Sequence, residues 1–160
     1  MKERARMAGD EAVISALVAA YNSEIETVAN YIANSVNLDG VRAKHIKVAL
    51  EADVAEELGH AQMLARRIKT VGGLTPGSQK LEMVQGSLQP PAETTDVLSV
   101  IRGVIEAEES AIKGYRRVIK AAQAAEDYGT EDLAITLMSD EEEHLREVRG
   151  FLREFESGSV

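Results

Sequence analysis

All three prolines of this chain, Pro76, Pro90 and Pro91, fall between residues 72 and 94, and no proline elsewhere forbids a long helix. The same stretch, GGLTPGSQKLEMVQGSLQPPAET, carries four glycines. It divides the chain into two long segments that read as helical hairpins. Residues 10–36 place Val13, Ile14, Leu17, Val18, Tyr21, Ile25, Val28 and Ile32 at helical steps of three and four. The turn NLDG (37–40) ends this helix, and a second follows over 41–71, closed by Gly72 and Gly73. A third helix is expected over 95–126 and a fourth over 131–156. The turn DYGT separates them, with Gly129 as breaker and Thr130 as N-cap. The basic tip MKERAR reads as a frayed, solvated end.

Short connections make antiparallel hairpins. The middle connection is different, because an up-down-up-down bundle needs only about 2–8 residues there. About 23 residues can instead run the ~45 Å length of a 30-residue helix. The expected fold is therefore all-α: one domain over 1–160, an antiparallel four-helix bundle of two hairpins joined by a long crossover.

The turn near Gly40 sets Glu24 opposite Glu57, and Glu141 follows Glu108 in the second hairpin at the same interval at which Glu57 follows Glu24. Tyr31 follows Glu24 by seven and Tyr115 follows Glu108 by seven, so each tyrosine shares its glutamate's helix face. His60 follows Glu57 by three, and His144 follows Glu141 by three. One E-x-x-H on a charged helix is ordinarily solvated surface. The doubling at matched spacing makes these six residues, Glu24, Glu57, His60, Glu108, Glu141 and His144, the candidate catalytic and metal-ligating set. The chain has no cysteine, so a metal has only carboxylate and imidazole to bind, which suits iron or manganese. Six such groups inside a bundle are too costly without a pair of divalent cations to neutralise them. Spacing favours Glu108, with Glu109 one residue away as the alternative. Tyr31 and Tyr115 are either hydrogen-bonded core tyrosines or groups that support the centre or exchange electrons with it. His45 fits no part of the repeat and reads as a surface histidine.

A net charge of −9 argues against nucleic acid as partner and suits the attraction of cations. The N-terminus has no apolar h-region and the chain has no unbroken apolar run of membrane-spanning length, so a cytoplasmic protein without a membrane span is expected.

At these residues the chain resembles the ferritin superfamily, bacterioferritins and Dps-like proteins in particular, over about 10–155. NSEIETVANYI (22–32) is similar to the bacterioferritin first-helix ligand stretch, and EESAIKGYRRVI (108–119) to the third-helix one. EELGHAQMLARRI (56–68) and DEEEHLREV (140–148) are similar to the two E-x-x-H segments. The resemblance implies a ferritin-like bundle in which Glu57 and Glu141 bridge two iron ions. Glu24 and Glu108 would be terminal ligands, with one histidine on each metal. It implies a ferroxidase that oxidises Fe(II) with oxygen or hydrogen peroxide, for iron storage or detoxification. Leu58 stands where bacterioferritins carry a haem-ligating Met, so haem is not expected. The stretch after His144 is too short to finish the fourth helix and add a fifth, which favours a Dps-like dodecamer or smaller homo-oligomer over a 24-subunit cage. The same ligands leave open a di-iron oxidase or di-manganese catalase, and the bundle alone leaves open a non-catalytic Dps-like assembly protein.

Overall fold

A computed structural model describes residues 2–158, with side chains described over 10–158. Four long helices carry it: α1 (Lys2–Asn37), α2 (Lys44–Thr70), α3 (Val97–Ala124) and α4 (Tyr128–Ser157). Short 3₁₀ turns at Val41–Ala43 and Ser78–Lys80 complete the described elements, and no strand occurs among the described residues. The two hairpins and the long crossover are present. Tyr31 of α1 meets Glu108 of α3, while Tyr115 meets Glu24, so α1 and α3 run antiparallel. Because α1 is antiparallel to α2 through its short turn, α2 and α3 are parallel.

α2 and α3 lie inside their expected limits of 41–71 and 95–126, and two other helices start earlier than the sequence reading has them. α1 begins at Lys2 rather than near residue 10. Lys, Glu, Arg, Ala and Met are good helix formers, and propensity carries the helix back to Lys2 without apolar periodicity. The side chains of that tip lie outside the described residues. α4 begins at Tyr128, ahead of the expected start at residue 131, and its N-cap is Asp127 rather than Thr130. The Asp127 carboxylate accepts the Thr130 N–H at 3.1 Å and the Thr130 hydroxyl at 2.5 Å. Glu126 takes the left-handed conformation (φ 55°) between the two helices. Arg67 of α2 pairs with Asp127 and donates to Thr130 Oγ1, tying this turn to α2.

The core forms two apolar plugs with a polar layer between them. One plug gathers Leu38, Ile46, Leu50, Leu88, Val100 and Ile101. The other gathers Val13, Leu17, Leu64, Ile68, Val118 and Leu137. The expected apolar stripe of α1 holds only over its first part. Ile32 is 47 % exposed, while Asn22, Glu26, Thr27, Asn30 and Asn34 are buried. The crossover lies on that face and needs polar partners for its backbone. Glu26 accepts the N–H groups of Val84 and Gln85 at 2.9 and 2.6 Å, and Asn34 donates to the Leu88 carbonyl. Gly103 of α3 makes the passage close: a Cβ there would lie 2.4 Å from the Ser87 carbonyl oxygen.

Candidate metal centre

The polar layer contains all six residues singled out by the repeat. Glu24 comes from α1, Glu57 and His60 from α2, Glu108 from α3, and Glu141 and His144 from α4. The four glutamates and His60 are at most 2 % exposed, and His144 is 9 % exposed. Ligand atoms of Glu24, Glu57, His60 and Glu141 lie within 4.8 Å of one another, and so do those of Glu57, Glu108, Glu141 and His144. The two sets share Glu57 and Glu141. Helical geometry explains the pairing: residues three apart project from one face, so each E-x-x-H turns both side chains inward.

Both imidazoles present Nδ1 to the interior. His60 Nδ1 lies 2.9 Å from Glu141 and 3.5 Å from Glu57. His144 Nδ1 lies 3.4 Å from both Glu57 and Glu141, and 4.0 Å from Glu108. The terminal glutamates are held by the tyrosines. Tyr31 donates to Glu108 Oε1 at 2.5 Å, and Tyr115 donates to Glu24 Oε1. Glu109 is turned outward to Arg149, 2.7 Å away, so the structure brings Glu108 and not Glu109 into the cluster. His45 is exposed.

Without a metal the cluster is balanced by protons. Burial and then the neighbouring carboxylates push Glu24 well above the usual carboxylate range; burial and Glu141 do the same to Glu108. Burial also opposes charge on Glu57, yet His144 and His60 outweigh it and hold Glu57 down to about 2. Glu141 is likewise lowered, with the two imidazoles overcoming its burial. Burial disfavours a charged His60, but Glu141 and Glu57 raise it to about 10; the same two carboxylates raise His144 to about 12. These shifts favour the neutral form at Glu24 and Glu108, the charged form at Glu57 and Glu141, and protonated imidazoles.

That balance leaves atoms unsatisfied. Both oxygens of Glu57, Oε2 of Glu141 and Nδ1 of His144 are buried with no hydrogen-bond partner. Buried polar atoms without partners are costly, and these four converge on one space. A set of hard oxygen ligands with imidazole is one that can hold metal there. A cavity of about 190 Å³ opens between α1 and α3 beside Glu24 and Tyr115, lined also by Ser23, Ser110 and Gly114, with Glu82 and Arg117 among its walls. The other half of the α1–α3 groove, over Tyr31 and Glu108, is covered by crossover residues Ser87 and Leu88. Sequence spacing does not single out Glu26, Asn30 and Asn34, which hold that cover. The signal available for them is a polar run on the inward face of a helix where apolar residues are due.

Comparison with known proteins agrees with the architecture. The ferritin-like domain family matches residues 14–157. A bacterial ferritin of Neisseria meningitidis serogroup B is 27 % identical over 137 residues, covering 86 % of this chain and 83 % of the relative. A ferritin-like, diiron-carboxylate protein from Bacillus anthracis superposes with a TM-score of 0.78 at 25 % identity, covering 90 % of this chain and 97 % of the other. A dodecameric thioferritin, the bacterioferritin-related protein of Bacteroides fragilis, superposes with a TM-score of 0.82 at 22 % identity, covering 99 % and 97 %. No described helix is long and apolar enough to cross a membrane.

Proposed function

This chain belongs to the ferritin-like domain family, and we propose that within it the chain is a ferroxidase that oxidises Fe(II) at a pair of sites inside one subunit, in the service of iron storage or detoxification. The observation that carries the reading is the convergence of four buried, unpartnered ligand atoms on Glu57, Glu141 and His144, within a layer of four carboxylates and two imidazoles. Glu57 and Glu141 belong to both ligand groups and would be shared by the two ions, with Glu24 and His60 available at one end and Glu108 and His144 at the other. Iron bound there supplies the redox chemistry, each Fe(II) giving up one electron to dioxygen or hydrogen peroxide.

The chain's own residues do the rest. Four carboxylates would offset the charge of two divalent cations, and the imidazoles, whose Nδ1 atoms face the layer, would hold them in neutral form. Tyr115 and Tyr31 each occupy one oxygen of Glu24 and Glu108, which fixes the carboxylate planes. The apolar plugs above and below keep bulk water from the layer. The cavity beside Glu24 and Tyr115 gives a small oxidant a path on one side, while Leu88 closes the other. Self-association fits the exposed Val36, Val41, Leu74 and Val84, and a homo-oligomer, a dodecamer in particular, is the expected state. Light scattering reads it directly.

The test is aerobic addition of Fe(II) to metal-free protein. Fast ferric absorbance continuing well past two irons per chain is expected. Saturation at two irons with turnover of an organic substrate overturns the storage role. Native manganese with rapid oxygen release from peroxide identifies a catalase instead. Glu57→Ala and Glu141→Ala should abolish oxidation, whereas Glu142→Ala, at an exposed position, should not.

A further inference from the structure

The cavity beside Glu24 and Tyr115 contains a polar group that the ligand set does not use. Asn22 of α1 stands in its wall and is only 8 % exposed. Its Oδ1 is buried with no hydrogen-bond partner, whereas Asn30 and Asn34, further along the same helix, both bond to the crossover. Ser23 of α1 and Ser110 of α3 bring hydroxyls to the same cavity. The helices otherwise meet it with small residues, alanines on both sides and Gly114 on α3. A Cβ at Gly114 would meet Arg117 at 3.7 Å, an ordinary contact, so that part of the space is open. At about 190 Å³ the cavity holds several water-sized molecules. Its walls carry no carboxylate besides the exposed Glu82 and the buried Glu24, and the exposed Arg117 adds a positive charge. Such walls suit a small neutral polar molecule better than a cation.

We propose that Asn22 is a specificity-determining residue for the oxidant, and that it makes this cavity select hydrogen peroxide over dioxygen. The inference rests on the ferroxidase reading and names the oxidant of that same site. A buried acceptor without a bond is costly, and water can relieve it. A molecule that displaces water from Asn22 must replace the lost bond or bind more weakly. Hydrogen peroxide donates through its O–H groups and accepts at its oxygens, so it can stand where water stands against an amide, which also accepts and donates. Dioxygen has no hydrogen to give and leaves Oδ1 bare. The hydroxyls of Ser23 and Ser110 add donors and acceptors for the same molecule. Asn22 takes no part in the electron transfer. In that step the peroxide O–O bond breaks as the molecule accepts two electrons, one from each Fe(II), and two protons from solvent, and two waters leave.

The test compares the two oxidants on one protein. Metal-free full-length protein is loaded anaerobically with two Fe(II) per chain and mixed in stopped flow with H2O2 or with O2, ferric absorbance giving a rate constant for each. Far-UV circular dichroism and Zn(II) affinity check that each variant is folded with its centre intact. Asn22→Leu keeps the branching of the side chain and removes its hydrogen bonding. It should lower the peroxide constant about fivefold and leave the dioxygen constant within about twofold. Gly114→Leu fills the cavity and should slow both oxidants together. In crystals of the metal-free protein, a peroxide soak should place an O–O pair within hydrogen-bond distance of Asn22 Oδ1, and should not do so in Asn22→Leu. Equal losses with both oxidants in Asn22→Leu, or no loss with either, overturn the inference and leave the ferroxidase standing. Unaltered rates in Gly114→Leu, or a soak that leaves water alone at Asn22, overturn it as well. No Fe(II) oxidation by the unsubstituted protein with either oxidant overturns the ferroxidase reading, and this inference with it.

Discussion

Glu24 and Glu108 raised, Glu57 and Glu141 lowered and both histidines raised together shift the metal-free layer toward no net charge. Two divalent cations with four carboxylates and two neutral imidazoles also sum to zero. The exchange is therefore protons for metal at constant charge, and the low-dielectric layer favours it for that reason. Loading two cations near pH 7 should release about two protons per chain from the histidines, and further protons from Glu24 and Glu108, which burial biases toward the acid form. A pH indicator in weakly buffered Zn(II) titration measures this; release of one proton or fewer would show that the layer is not where the metal binds. Glu108 and Glu109 give a sharper contrast. Glu108→Ala removes a buried carboxylate held by Tyr31, whereas Glu109→Ala removes an exposed partner of Arg149. Oxidation should fall by roughly tenfold or more in the first and stay within about twofold in the second. The reverse order would mean that helix three enters the centre one residue out of register.

At the scale of elements, the crossover is the part that owes least to apolar periodicity. Glu26 gathers two backbone N–H groups, and Asn30 and Asn34 hold Gln85 and Leu88. Glu26→Ala should cost about 1–2 kcal/mol, since Val84 is exposed and water can replace part of the loss. That corresponds to a melting point lower by roughly 3–6 °C and faster proteolysis within residues 81–89, both read on the metal-free protein. Unchanged proteolysis would mean that Leu88 packing alone holds the crossover. The same region marks the limit of what sequence spacing reveals. The helices, the crossover and the register of Glu24, Glu57, Glu108 and Glu141 follow from periods and breakers within short windows. The roles of Glu26 and Asp127 do not, because each depends on a partner brought near only by tertiary packing: the Val84 amide and Arg67. Thr130 suits an N-cap by residue type, but Asp127 presents a carboxylate three residues earlier and takes both the Thr130 N–H and its hydroxyl.

For the whole molecule, the layer proposed to bind metal is also a weak point of the bundle when metal is absent. His60 is raised to about 10 and His144 to about 12, against about 6.5 in an unfolded chain. Raised pKa values contribute stability that is complete below pH 6.5 and lost as pH climbs through the folded values, because the folded state then binds more protons than the unfolded one. Raised Glu24 and Glu108 act with the same sign from about pH 4.5 upward. Lowered Glu57 and Glu141 act oppositely, but their contribution is complete above pH 4.5 and is lost only toward pH 2. Every one of these contributions is therefore flat or falling above pH 6.5. The metal-free protein should lose about 5 °C or more of melting temperature between pH 6.5 and 9. Metal reverses the slope. Bound cations take the place of the protons, and as pH rises fewer protons compete for the ligands, so binding to the folded state alone raises stability. Melting curves with Co(II) in excess should be flat or rising over the same interval. Parallel falling curves with and without Co(II) would mean that stability and the centre are not linked, and that the buried carboxylates are held by something other than metal.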